Sequence, residues 1–333
     1  MTAPAGSVAE GVQQGLAAVL SRAWQDDVTV TAARPLSGGA SMETWQATVH
    51  RNGSVRPVIL RRDRPGRPQS SRVGEARLLE LVGAAGVPVP EVLATGSGDE
   101  LGADYLVCGF LEGETIPRRL LREQRYAAAR PRVLGELAVA MAATHSVPAR
   151  EVAFLGPVQD AAGLVAGYAA SLAAVGEPSP ALELAIRWLL RNLPEPVPAR
   201  LVHGDVRNGN LMVDERGLVA LLDWELAHPG DPREDLGWLC VRSWRFGDDE
   251  APAGGFGTRQ ALLDAYHAAG GISCSTEVLR FWEVFGTLKW GVICCSQAAL
   301  HLSGQVPSLE LASIGRRLSE TEYDILTLLE GEL

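Results

Sequence analysis

The stretch "LVHGDVRNGN", residues 201–210, runs straight into "LMVDERGLVALLD", residues 211–223. His203, Asp205, Arg207, Asn208 and Asn210 are enclosed by apolar runs on both sides. A polar loop held between apolar segments leaves hydrogen-bonding groups half buried, which is costly unless they bind something. The second segment shows how such a loop is held. "LMV" and "LVALL" read as short strands joined by the turn residues Asp214, Glu215, Arg216 and Gly217. If the strands pair antiparallel, Asn210 before the first and Asp223 after the second meet at the open end, beside Asp205. Two carboxylates and an amide oxygen in one place form a hard-oxygen set of the kind that suits Mg²⁺ together with substrate phosphates.

The rest of the chain sets bounds on what that site can serve. The 333 residues are 47% hydrophobic and 21% charged, as in a globular chain long enough for two lobes. The net charge of −10 argues against a general binder of nucleic acid or anionic membrane. No apolar run approaches the roughly 20 residues of a membrane helix. The N-terminus "MTAPAGSVAE" lacks a basic start and an apolar core, so the expected location is cytoplasmic. Five cysteines without CxxC pairing speak against a disulfide framework or a zinc site. Lys289 is the only lysine, so nearly every cation is arginine.

The first third reads as strands and turns. "TWQATVH" (44–50) alternates, with Trp45, Ala47 and Val49 on one face. Asn52-Gly53 is a hairpin signal, and "PVILR" (57–61) is the returning strand. "GEARLLELVGAAG" (74–86) has helical spacing, and "EVLATG" and "DYLVCGFL" add two strands. Beyond residue 113 the chain is mainly helical, with segments around 130–146, 160–175, 180–192, 258–269, 276–303 and 308–330. The expectation is α+β: a sheet-bearing lobe at 1–113 and a helical lobe at 114–333.

Asp205-x-x-x-x-Asn210 followed by Asp223, with "HGD" at its head and "DWELAHPGDPREDL" after it, resembles the aminoglycoside phosphotransferase and choline kinase branch of small-molecule kinases. The resemblance spans about residues 30 to 330 and implies a protein-kinase-like, two-lobed fold that uses ATP and Mg²⁺. By it, Asp205 is the base that orients and deprotonates a substrate hydroxyl, and Asn210 and Asp223 hold the metal. "PLSGGASMET" (35–44) stands where kinases place a phosphate loop, so Ser37, Gly38 and Gly39 are expected at the nucleotide. Arg61 occupies the position of the usual lysine, on the same strand face as Ile59, with Glu75 as its partner. The adenine edge is expected near Gly109 and Leu111. His203 is expected to hydrogen-bond within its loop, with Arg207 and Asn208 near phosphate or substrate. Glu225 and Asp231 either shape the metal loop or cap a turn. Asp235 is expected to cap a helix starting at "LGWLCV".

The acceptor is less legible. Among the branch's kinases for aminoglycosides, choline, sugars and hydroxyacyl-CoA, "LSGGAS", "VILRR" and "DWELAHPGDP" look most like the domains fused to acyl-CoA dehydrogenases, which implies a hydroxyacyl-CoA. "RRDRPGRPQSSR" (61–72), with five arginines, suits an anionic acceptor, whereas an aminoglycoside would favour the acidic surface at Asp248, Asp249 and Glu250. Other readings are a metal-assisted hydrolase, for which six scattered histidines offer few ligands, and a non-catalytic nucleotide-binding relative, for which the missing lysine is the only support. A protein kinase fits poorly, since no activation segment ending in Ala-Pro-Glu is present.

Overall fold

The computed structural model describes residues 5–36, 42–63, 72–98, 100–176 and 178–330. Ser37, Gly38 and Gly39 therefore lie outside the described residues, as does most of the arginine run. The chain divides into two compact units, Met1–Glu112 and Gly113–Leu333.

The first unit opens with a helix, α1 (Ala5–Trp24), followed by strands β1 (Thr29–Leu36), β2 (Met42–Arg51) and β3 (Ser54–Asp63), helix α2 (Arg72–Ala84), and strands β4 (Val92–Gly96) and β5 (Tyr105–Gly109). The five strands form one antiparallel sheet in the order β1-β2-β3-β5-β4. Alternation in β2 works as the sequence suggests: Trp45, Ala47 and Val49 are buried, and their partners across β3 include Val58 and Leu60. Asn52 and Gly53 both take positive φ in the hairpin between them. Val12, Leu16, Val19 and Leu20 of α1 close this core together with Leu93, Tyr105 and Val107. Neither α1 nor β1 is among the expected elements. Glycines interrupt the α1 segment, and β1 is largely exposed, which weakens both periodic signals.

The second unit contains α3 (Pro117–Arg122), α4 (Arg130–Ser146), α5 (Ala161–Val175) and α6 (Pro180–Arg191), then β6 (Arg200–Val202), β7 (Leu211–Asp214), β8 (Gly217–Leu221) and β9 (His228–Gly230). Five more helices follow: α7 (Arg233–Cys240), α8 (Arg259–Ala268), α9 (Thr276–Leu302), α10 (Leu309–Gly315) and α11 (Leu318–Glu330). β7 pairs with β8 and β6 with β9, both antiparallel. The single helix expected over 308–330 is two, because the chain turns at Arg316 and Arg317, just after Gly315 packs against Ala298 of α9. The core gathers on α9, where Phe281, Trp282, Phe285, Leu288 and Val292 meet Leu164 and Leu172 of α5, Leu182 and Leu189 of α6, and Ile325 of α11. All eight residues of α7 are buried, its charged ones included. That is the feature that matters for the site.

Candidate active site

The β7–β8 hairpin brings together the residues expected to meet. Leu211 faces Leu221, and the Leu222 N–H donates to the Asn210 carbonyl at 2.8 Å, extending the pairing by one step. Asn210 and Asp223 thus flank the open end of the hairpin. Asp205 joins them through Asn210, whose Nδ2 donates to the Asp205 carbonyl at 3.0 Å and to its Oδ2 at 2.6 Å.

The Asp205 carboxylate is buried and held from several directions. Trp238 Nε1 of α7 donates to Oδ1 at 2.8 Å. Arg207 Nε is shared between the two oxygens, at 3.0 and 3.1 Å. The arginine lies over the Trp244 ring at 5.0 Å, and among the described residues its Nη groups have no hydrogen-bond partner. Asn208 is turned away from the site, with Nδ2 on the Gly254 carbonyl.

His203 is fully buried and works inside the loop. Its Nδ1 accepts from the Asp205 N–H at 3.1 Å, and Nε2–H donates to the Leu222 carbonyl at 3.1 Å. Burial lowers its pKa below the ordinary histidine value, which keeps the ring neutral, as this pattern of one donor and one acceptor requires.

The donor set fits a hard divalent cation. Asn210 spends its Nδ2 on Asp205, so Oδ1 is the atom turned away, and among the described residues it has no partner. The half-buried Asp223 carboxylate likewise has no hydrogen-bond or ion-pair partner among the described residues. Its φ of 64° is uncommon for a residue other than glycine, though aspartate tolerates it better than most, and places the carboxylate just past the hairpin. Two unengaged hard oxygen ligands beside a fixed carboxylate are what Mg²⁺ with nucleotide phosphates would use.

One expectation for the acidic residues downstream needs correction. Asp235 does not cap a helix. α7 begins at Arg233, earlier than the sequence reading places it, so Asp235 falls inside the helix and is 0% exposed. Its carboxylate accepts the N–H groups of His203 and Gly204, both at 2.8 Å, and stands 3.0 Å from His145 Nε2. Burial works to raise its pKa, but His145 and the His203 amide hold it below the ordinary carboxylate range. The turn is capped instead by Asp231, which accepts the Arg233 N–H at 3.0 Å and pairs with the Arg233 side chain. Glu225 is exposed at the loop after Trp224.

In the first unit, Arg61 of β3 ion-pairs with Glu75 of α2, as the sequence reading expects. The neighbouring Arg62 is committed to Glu43 and to the Leu101 carbonyl, and Arg72 to Asp63 at 2.7 Å and to Glu75. The described arginines of the 61–72 run are therefore neutralised within their own unit, which removes much of the case for that run as an anion clamp. Gly109 donates its N–H to the Glu91 carbonyl at 2.8 Å, so that donor is not left for a base edge, and Leu111 lies beyond the end of β5.

The family model described as the phosphotransferase enzyme family (APH) matches residues 32–272. The chain belongs to this phosphotransferase family. It is 24% identical over 294 residues to acyl-CoA dehydrogenase family member 11 of Pongo abelii, an alignment covering 79% of this chain and 36% of that one. With acyl-CoA dehydrogenase family member 10 of Mus musculus it shares 28% over 162 residues, 44% of this chain and 15% of the relative. The chain thus spans little more than a third, or less, of the length of these relatives. Among solved structures, a Ralstonia eutropha protein provisionally named an aminoglycoside phosphotransferase superposes with a TM-score of 0.76 at 20% identity, covering 95% of this chain and 98% of that one. These likenesses agree with the α+β, two-lobed, protein-kinase-like fold.

Membership makes the chain a small-molecule phosphotransferase, and the sequence reading singled out the loop at Asp205 to Asn210 together with Asp223. It missed the support: Trp238, His145 and Lys289 lie far from the loop in sequence. The only signal for any of them was Lys289 as the sole lysine.

Proposed function

We propose that the protein transfers the γ-phosphate of ATP, with Mg²⁺, to a hydroxyl of a small neutral or anionic molecule, with a hydroxyacyl-CoA as the candidate acceptor. The supporting observation is the arrangement at Asp205: a carboxylate aimed by Trp238 and Asn210, next to two hard-oxygen groups with no other engagement among the described residues. Asp205 accepts the hydroxyl proton as the oxygen attacks phosphorus. Asn210 Oδ1 and Asp223 hold the cation, which supplies charge neutralisation at the phosphates. Phosphoryl transfer asks little more of a protein than positioning and charge.

The proposed class of acceptor follows from Arg207. An incoming hydroxyl must compete for Asp205, and the shared Arg207 Nε contact is the easiest to yield. A guanidinium beside the base, with Nη groups that have no partner among the described residues, then favours a carboxylate or phosphate on the acceptor and disfavours a polyamine. Beyond the Trp244 and Trp290 rings, which meet edge to face at 4.9 Å, Arg317 lies over Trp290 and lines an open cavity of about 780 Å³ with Arg118, Arg242, Phe246 and Tyr323. Arg242 and Arg317 are answered there by Asp249, Asp324 and Glu320 of the same lining, so the acceptor class rests on Arg207, and the names of the acyl-CoA dehydrogenase relatives support the same reading. Competing panels of hydroxyacyl-CoA esters and aminoglycosides, read by ADP release, test it. Turnover of the CoA esters is expected, and efficient turnover of kanamycin-like polyamines alone would refute the acceptor class.

A further inference from the structure

The peptides leading to Asp205 are held at nearly every polar atom. Asp235 takes the N–H groups of His203 and Gly204, and His203 Nδ1 takes the N–H of Asp205. Gly204 itself has φ of 80°, and a Cβ there would lie 2.4 Å from the Leu226 carbonyl oxygen. With no side chain to anchor it, this residue takes its orientation from its backbone contacts. The remaining contact is its carbonyl, and that is met by Lys289.

Lys289 lies in the middle of α9, 3% exposed, between Leu288 and Trp290. Its Nζ donates to the Gly204 carbonyl at 2.8 Å and to Glu234 Oε1 at 3.2 Å, and stands 4.5 Å from the Trp238 ring centroid. A compact ammonium with freely directed hydrogens suits three such targets better than a planar guanidinium. In a chain whose other cations are all arginine, that is a physical reason for the exception.

Neutralising Glu234 is a poor explanation by itself. The other Glu234 oxygen has His228 Nε2 within ion-pair distance at 3.3 Å, although the two are not aligned for a hydrogen bond. Buried ion pairs are often no more stabilising than apolar residues of the same volume. What an apolar residue could not supply is a donor for the Gly204 carbonyl and a cation on the ring of Trp238, the residue that holds Asp205 Oδ1.

We infer that Lys289 is a positioning residue for phosphoryl transfer: through the Gly204 carbonyl and the Trp238 ring it fixes the direction of the Asp205 carboxylate. The inference rests on Asp205 being the base.

Three variants of the full chain separate this role from charge balance. Glu234→Gln keeps the lysine. Lys289→Met removes it and leaves Glu234 charged. Lys289→Met/Glu234→Gln removes both charges, so it can fold where the single lysine variant does not. Each is examined by thermal unfolding, by calorimetric titration with ATP·Mg²⁺, by kcat and KM with whichever acceptor turns over, and by amide hydrogen exchange across residues 201–210. In the double variant the expected result is unchanged ATP affinity and KM, a kcat lower by up to about 100-fold, the scale of a small misplacement of a reacting group, and faster exchange at Gly204 and Asp205. Glu234→Gln should stay within a few fold of the parent. A folded double variant with parental kcat and parental exchange would overturn the inference and leave Lys289 as a counter-ion. The exchange readout needs no acceptor, so failure of the acceptor proposal does not touch it. Full activity in Asp205→Asn would identify an error in the base assignment instead.

Discussion

Asp235→Asn tests the most heavily used side chain in the second unit. The carboxylate serves three donors at 2.8, 2.8 and 3.0 Å with no exposure to water. An asparagine keeps one acceptor oxygen and turns an NH₂ toward a group that also donates. Two charge-assisted bonds, at about 1.5–3 kcal/mol each, are lost or reversed, so the expected destabilisation is about 3–5 kcal/mol, the range for breaking a buried charged network. For a unit of this size that lowers the melting temperature by roughly 6–20 °C. The catalytic loop is displaced with it, so kcat should fall while ATP·Mg²⁺ binding changes less. Because the folded pKa of Asp235 is held below its unfolded value, its contribution is present above the ordinary aspartate value of about 3.9 and disappears as pH falls through the lower folded value. The stability gap between parent and variant should therefore be constant near neutrality and close only in acid. Calorimetric melts of both proteins from pH 7 down to about 3 measure it. A variant that melts within 2 °C of the parent at neutral pH, or a gap that closes above pH 5, would refute this account of the α7 buttress.

Three further outcomes follow from the site. Asp205→Asn should retain ATP·Mg²⁺ affinity by calorimetry and lose turnover by about 10²–10⁴-fold, the usual weight of a positioned base. Asp223→Ala should abolish the magnesium dependence of nucleotide binding, measured by titrating ATP with and without Mg²⁺; an unchanged magnesium response would move the cation to another ligand. Arg61→Ala should cut turnover while Arg61→Lys keeps part of it. Arg62→Ala should instead act on stability, because Arg62 is spent on Glu43 and the Leu101 carbonyl. Equal kinetic loss in both alanine variants would show that Arg61 has no special place at the phosphates.

Local chemistry decided a good deal. Period-2 alternation at Trp45, Ala47 and Val49, the Asn52-Gly53 turn and the Asp214–Gly217 turn specify hairpins over a few residues, so both hairpins could be read directly from the sequence. The gathering of Asp205, Asn210 and Asp223 was legible for the same reason: one short hairpin places all three. The long helices were legible as extended alanine- and leucine-rich segments. What no local pattern could disclose was the company these residues keep. Asp235 looked like a helix cap, because an acid before an apolar run is usually one. Tertiary structure buried it instead under His145 and the backbone of His203 and Gly204. Trp238 packs in the core and is also a hydrogen-bond donor to Asp205. Lys289 stood out only by its rarity, and its role depends on α9 crossing α7 where the Gly204 carbonyl emerges. Burial turns such long-range contacts into strong constraints, since a charge out of water must find its partners wherever the fold provides them. Residue types and spacing therefore determined the chemistry of the loop, and packing among α4, α7 and α9 determined the direction in which its carboxylate points.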